Sequence, residues 1–406
     1  MKNLAEQAIL LVIIKRHGTK ETFEKERMRN MAKIYMIRHC ESEGNATRRT
    51  QAQVDSLVTR KGYLQSEMLR RRFKDIPVDA VYSSDSYRAV MTVDPIAKER
   101  GLPVHTRILL REVTTGVWED MAWGNIAREY PEANAAWSAT PWALKTPGAT
   151  TFQQVAERMT HGLRRIAKEI GPDGTALVCS HSCTIKATLC AVLGKPMTEV
   201  KELGHGDNTS VSLLNIDEDG SITVEFMNDA SHLPPELQRA WAGVAGADVN
   251  MAVYPVILPE QKEALLALAE ADAKERGEAF GADTYAREAQ AALAENPASI
   301  ALCYLKDQVS GYVRIGRDEN LPSDCAVLQR MYVVPTLQGK GYCEQLFGYA
   351  AHEMRYANLE RLVMPKHCSK EEQRVVERFV FGDMKGHPDY LELGLYCPAT
   401  GCHTLA

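Results

Sequence analysis

Short apolar runs that stop abruptly at polar residues alternate with longer stretches of helical spacing. Lys33 to Ile37 reads as a strand ending at Arg38-His39. Thr59 opens a helix running to about Phe73, with Leu64, Met68 and Leu69 on one face. Val78 to Tyr82 reads as a second strand, and Ser83-Ser84-Asp85 is expected to cap the helix bearing Arg88, Val90 and Met91. Val104 to Leu109 reads as an extended edge piece, Thr151 to Ile170 as a long amphipathic helix, and Thr175 to Cys179 as a buried strand ending in Ser180-His181-Ser182. A helix from about Thr184 to Leu193 follows, then antiparallel strands Val211 to Asn215 and Thr223 to Asn228 around the turn Asp217-Glu218-Asp219-Gly220.

The pattern then breaks. Pro234-Pro235 and an Ala/Gly-rich run, Ala242 to Ala247, mark a linker at 234–250. A second unit is expected at 251–400, with helices Pro259 to Arg276 and Tyr285 to Glu295. A strand pair, Ser299 to Leu305 and Val309 to Ile315, comes next, then a strand Ala326 to Val334 and a helix Gly341 to Tyr356. The first unit is expected at 32–233, and 1–31 reads as an extension. Its apolar run, Ala8 to Ile14, is too short to span a bilayer.

Composition narrows the class. With 406 residues, 45% hydrophobic, 25% charged and a net charge of -5, the chain reads as an ordinary two-domain globular protein. Nothing in it marks a nucleic-acid or membrane surface. Ten cysteines without a repeating spacing are read as reduced thiols of a cytoplasmic protein. His367-Cys368, Cys397 and Cys402-His403 are weighed as a zinc set and set aside as small apolar side chains, so no metal is expected.

Chemistry gathers at strand ends. In open α/β sheets, ligands sit outside the carboxyl ends of the strands. Arg38 and His39 end one strand, His181 ends another, Arg88 follows a third and Glu112 a fourth. Arginines can hold phosphoryl oxygens, a neutral histidine can attack phosphorus, and a carboxylic acid can protonate a leaving oxygen. Two fixed positive charges beside His39 predict that its imidazole is neutral near pH 7.

The run Arg38-His39-Cys40-Glu41-Ser42-Glu43-Gly44-Asn45 resembles the signature of the histidine phosphatase superfamily, the branch with the phosphoglycerate mutases. Leu57 to Gln65, Asp79 to Ser84 with Arg88, Leu110-Arg111-Glu112 with Gly116 to Glu119, Ser180-His181 and Asn228 to Leu233 resemble its further motifs, in order. The resemblance implies a phosphoglycerate mutase-like α/β/α sandwich. It makes His39 the nucleophile and Glu112 the acid, preferred over Glu119. Arg38, Asn45, Arg88 and His181 would be phosphate ligands, with no cofactor required. Cys40 replaces the usual Gly, and Pro147 to Thr150 stands where a carboxylate is common. Glu43 is a further nearby carboxylate, and Glu41 is expected to face solvent. The pocket walls are expected from loops around Trp118, Trp123, Trp137 and Trp142.

In the second unit, Leu328 to Pro335 leads through Gln338-Gly339-Lys340-Gly341-Tyr342-Cys343 into a helix. A Gly-bearing turn at a helix start makes a nest of N–H groups for a pyrophosphate. The run resembles the acetyl-CoA motif of GNAT-type N-acetyltransferases and implies a GNAT-type α/β domain. The backbone of Met331, Tyr332, Val333 and Val334 would pair with pantetheine, and Gln338, Gly339, Lys340, Gly341, Tyr342 and Cys343 would hold the pyrophosphate. Tyr390 and Tyr396 are candidates for a catalytic tyrosine. The expected whole is a phosphomonoesterase for a small phosphorylated metabolite fused to an acetyl-CoA-dependent N-acetyltransferase with an unidentified amine acceptor. The rivals are a mutase, and a regulatory or sensor protein with a degenerate acetyltransferase domain.

Overall fold

The computed structural model describes residues 31–204, 206–238 and 249–397. The expected extension short of Met31, most of the linker, residues 398–400 and the Cys402-His403 pair lie outside the described residues.

The first sheet is built from β1 (Ala32–Arg38), β2 (Ala80–Ser83), β3 (Val104–Thr106), β4 (Thr175–Ser180), β5 (Val211–Ile216) and β6 (Ile222–Asp229), in the order β3-β2-β4-β1-β5-β6. The first four are parallel, and β5 and β6 close the sheet antiparallel. Strand β1 is apolar on both sides because both faces are covered. Ile34 and Met36 pack under α6 (Phe152–Ile170) and α7 (Ser182–Val192), while Ile37 packs with Leu69, Phe73, Val93 and Ile96. Those last four belong to or end α2 (Arg60–Arg72) and α3 (Tyr87–Arg100). The unit is therefore a three-layer α/β/α sandwich, with a short α1 (Glu43–Thr47) after β1 and α4 (Trp123–Glu129) and α5 (Pro131–Ala139) at the rim.

Thr59 caps α2 by accepting the Gly62 N–H, as the sequence suggests. At α3 the outcome differs. Ser86 is the N-cap residue, while Asp85 is drawn aside to Arg111 and Ser83 donates to the Ser84 carbonyl.

The second sheet has the order β12-β13-β11-β10-β9-β8-β7. Its strands are β7 (Met251–Pro255), β8 (Ile300–Leu305), β9 (Gln308–Gly316), β10 (Cys325–Val333), β11 (Arg361–Pro365), β12 (Gly382–Asp383) and β13 (Tyr390–Gly394). Helices α8 (Lys262–Arg276) and α9 (Ala282–Glu295) cover one face, and α10 (Cys343–Tyr356) and α11 (Lys370–Phe379) the other. Helix α8 starts at Lys262 rather than at Pro259 because Gln261 folds back onto the Ile257 N–H and forms its cap position. Strands β10 and β11 pair in parallel only from Cys325 to Val327; beyond an irregularity at Leu328/Arg330 they separate.

The two units are tightly joined. A Cβ on Gly348 of α10 would lie 2.6 Å from the Thr47 Cβ, and one on Gly124 of α4 would lie 2.1 Å from the Met251 backbone. The Asn125 side chain both donates to the Val253 carbonyl and accepts from its N–H, so it occupies the edge of β7. Among the described residues, no helix is long and apolar enough to cross a membrane.

Candidate active site

Strand register assembles the site. Arg38 of β1 pairs with Ser180 of β4, and Ser83 of β2 with Cys179. The next residues, His39 and His181, therefore leave the same end of adjacent parallel strands. Their ring centroids lie 5.2 Å apart. Arg88, fully buried in the first turn of α3, places Nη2 3.3 Å from His181 Nδ1.

The hydrogen bonds select the tautomers. His39 Nδ1 donates to the Cys40 carbonyl at 2.7 Å, which leaves the Nε2 lone pair as the reactive one. His181 Nδ1 accepts from Arg88, so its proton sits on Nε2, a buried atom with no hydrogen-bond partner among the described residues. Burial above all, then Arg88 and Arg38, pushes the His39 imidazole well below its usual value. Burial, Arg88 and His39 do the same to His181. Both rings are neutral at pH 7.

Arg88 is held from behind by the carbonyls of Gln51, Ala52 and Val54 and by Asp55. Glu119 organises that loop. Its Oε2 accepts the N–H groups of Ala52, Gln53 and Val54, and its Oε1 accepts from Thr115. Glu112 instead lies at the start of α7. It accepts the N–H groups of Cys183 and Thr184, the Thr184 hydroxyl and its neighbour Val113 N–H, which fixes it beside His181. Arg38 donates to the Gly206 carbonyl at 2.6 Å, and Asn45 Oδ1 accepts from Asn208. Asn208, which the motif reasoning passed over, also donates to the His39 carbonyl at 2.8 Å. Its signal was the polar Asp207-Asn208 turn before β5.

Glu41 is a correction. It is 7% exposed, accepts from Thr59 and pairs with Arg378 of α11 at 2.8 Å, so a neighbour in the other unit removes it from solvent. The Cys40 thiol is fully buried, and burial pushes it up to about 11, which keeps it protonated. Of the tryptophans expected as walls, Trp123 and Trp137 line the cavity beside Arg38. Trp118 is fully buried behind them, and Trp142 packs against the core under α6.

In the second unit, Tyr332, Val333, Gln338 and Gly339 line one cleft, and Gly339, Lys340, Gly341 and Tyr342 line an adjoining one. Cys343 is buried at the start of α10, and Val334 donates its N–H to Ser310 O. Two donors expected for acetyl-CoA are already engaged. The Gly339 N–H donates to Glu371 at 2.9 Å, and the Met331 N–H, where β10 parts from β11, donates to Glu372 at 3.0 Å. Arg374 and Arg276 pair with these two carboxylates, and Gln338 Nε2 is drawn to Glu275. As arranged, these two N–H groups are not open to a cofactor, although each carboxylate is itself paired with an arginine and Lys340, Arg374 and Arg378 line the adjoining cleft. Tyr390 donates to Asp318 and Tyr396 to the Arg355 carbonyl.

Comparison with known proteins divides the chain in the same way. Residues 34–230 match the family model of the histidine phosphatase superfamily (branch 1), and residues 265–380 match that of the acetyltransferase (GNAT) family. Phosphoserine phosphatase 1 of Hydrogenobacter thermophilus is 28% identical over 203 residues, 50% of this chain and 95% of that protein. The probable phosphoglycerate mutase GpmB of Cronobacter sakazakii is 29% identical over 222 residues, 52% of this chain and 100% of that protein. Among solved structures, Bacillus stearothermophilus YhfR aligns with 26% identity and a TM-score of 0.48, covering 50% of this chain and 98% of that one.

Proposed function

We propose that this chain, in which a histidine phosphatase superfamily domain is joined to a GNAT-family domain, is a phosphomonoesterase working through a phosphohistidine. The observation that carries the reading is the His39 imidazole, neutral, with its Nδ1 proton committed to Cys40 O and a second histidine and a buried arginine alongside.

That geometry supports the following steps. The His39 Nε2 lone pair attacks phosphorus and the ester P–O bond breaks. Arg38, Asn45, the His181 Nε2–H and Arg88, through the Nε–H that its other contacts leave unengaged, hold the phosphoryl oxygens. Glu112 gives its proton to the departing alkoxide. Water then attacks the phosphohistidine, Glu112 takes its proton, and the P–N bond breaks to return the lone pair to Nε2. Hydrolysis is preferred to a mutase reaction because no long insertion flanks Glu112 to shelter the intermediate from water.

For the second unit, the family match supports acetyl-CoA-dependent N-acetyl transfer and the α11 carboxylates oppose it, so no acyl-transfer step is assigned. The test is phosphate release from phenyl phosphate by the full chain. Turnover that His39→Ala abolishes is expected, and turnover that survives the substitution refutes the assignment.

A further inference from the structure

A cavity of about 680 Å³ opens beside Arg38 and Asn45, and its wall is shared between the two units. Arg48, Arg49, Lys61 and Arg128 come from the first unit, and Asn250, Ala252, Tyr304 and Lys306 from the second. The shared wall is fastened at several points. Arg48 donates to Asn250 at 2.9 Å. Arg128 lies over the Tyr304 ring, 4.6 Å from its centroid, and donates to the Lys306 carbonyl and to Asp307. The Asn125 clasp on Val253 holds α4 and β7 in register behind it. The lining is net positive: with Arg38 it carries six basic side chains against one acid, Glu41, and Asp120 on Arg49 and Asp307 on Arg128 offset it in part from just outside. A concave site with this balance concentrates anions.

We propose that the GNAT-family unit completes the substrate pocket of the phosphatase unit, that Tyr304 and Lys306 determine specificity there, and that the substrate is a phosphomonoester carrying a second anionic group. This rests on the phosphatase reading above. His39 and its neighbours take the scissile phosphoryl group at the strand ends. The second anion points outward past Arg38 toward the turn between β8 and β9, where Lys306 supplies its charge. Tyr304 is positioned by the Arg128 guanidinium to present its ring to the body of the substrate.

The test compares substrates that differ in one anionic group. They are 4-carboxyphenyl phosphate against phenyl phosphate, and fructose 1,6-bisphosphate against fructose 6-phosphate for a longer reach. Each is measured as kcat/KM with the full chain and with Lys306→Asn and Lys306→Asp. Residue 306 has a φ of 56°, a left-handed conformation that Asn and Asp tolerate. At a partly screened rim, loss of the charge is expected to lower the preference for the doubly anionic member of a pair about fivefold, and charge reversal to lower it further, chiefly through KM. Turnover with unchanged preferences in both pairs, or an equal loss on both members, overturns this inference and leaves the phosphatase reading standing. Absence of turnover on every substrate by the unaltered chain overturns the phosphatase reading and this inference with it.

Discussion

Arg355 of α10 grips Glu43 of α1 with both arms of its guanidinium, each N···O distance 2.6 Å, although the two residues belong to different units. Glu43 is 3% exposed and lies four residues after His39 in the phosphatase signature. Arg378 holds Glu41 of the same run in a second ion pair. The segment carrying His39 is thus clamped by the second unit. Glu43→Ala is expected to leave the half-buried Arg355 without its carboxylate partner and to cost about 1–3 kcal/mol in denaturant unfolding. The pair replacement Glu43→Leu with Arg355→Met should recover most of that. A loss below about 1 kcal/mol for Glu43→Ala would mean that the clamp is loose.

The neutral state of His39 has a pH signature. Its folded value, like that of His181, lies below the unfolded value of about 6.5. The unfolded chain therefore binds more protons below that pH. Stability is fully present above about 6.5 and declines as the pH falls toward the folded values. The melting temperature should drop between pH 7 and pH 5. The His39 ring should show no NMR titration near 6.5, and a ring found protonated at neutral pH would contradict the site electrostatics.

Acetyl-CoA gives a direct check on the second unit. With Glu371 and Glu372 seated on the Gly339 and Met331 N–H groups, the full chain should show no thermal shift at millimolar acetyl-CoA. A ligand at about 100 times its dissociation constant would stabilise by about 2.7 kcal/mol. A clear upward shift would show that the carboxylates leave for the cofactor and would restore the transferase reading.

Glu119 is expected to act on catalysis through Arg88. Removing its carboxylate in Glu119→Ala leaves three N–H groups of the loop at 52–54 without their acceptor and loosens the carbonyls that hold Arg88. The expected cost is about 1–3 kcal/mol in stability. The kcat on phenyl phosphate should also fall, and Glu119→Gln should recover part of it. Unchanged kcat in the Ala variant would remove Glu119 from the support of the site.

The strand ends were legible because β1 and β4 are apolar on both faces and stop at polar residues, which fixes where His39 and His181 emerge. Register did the rest: Arg38 opposite Ser180 is what parallel pairing of those two runs produces. The burial of Glu41 was not legible, because an acidic residue in a polar turn looks solvated until Arg378 arrives from the other unit. Glu372 was hidden differently. Ser369 and Glu372 form a capping box in which one Glu372 oxygen accepts the Ser369 N–H. The other reaches β10 only because β10 and β11 separate after Val327, which no local pattern announces. The shared cavity wall depends on how the units dock, and docking leaves no periodicity in a chain.

The central claim is a covalent bond between phosphorus and His39 Nε2. Rapid quenching of the full chain with labelled phenyl phosphate, followed by peptide mapping, tests it most directly. The account predicts a label that survives base, is lost in acid and maps to His39. A label on any other residue, or turnover without a trapped phosphoenzyme in either the unaltered chain or Glu112→Gln, would contradict it.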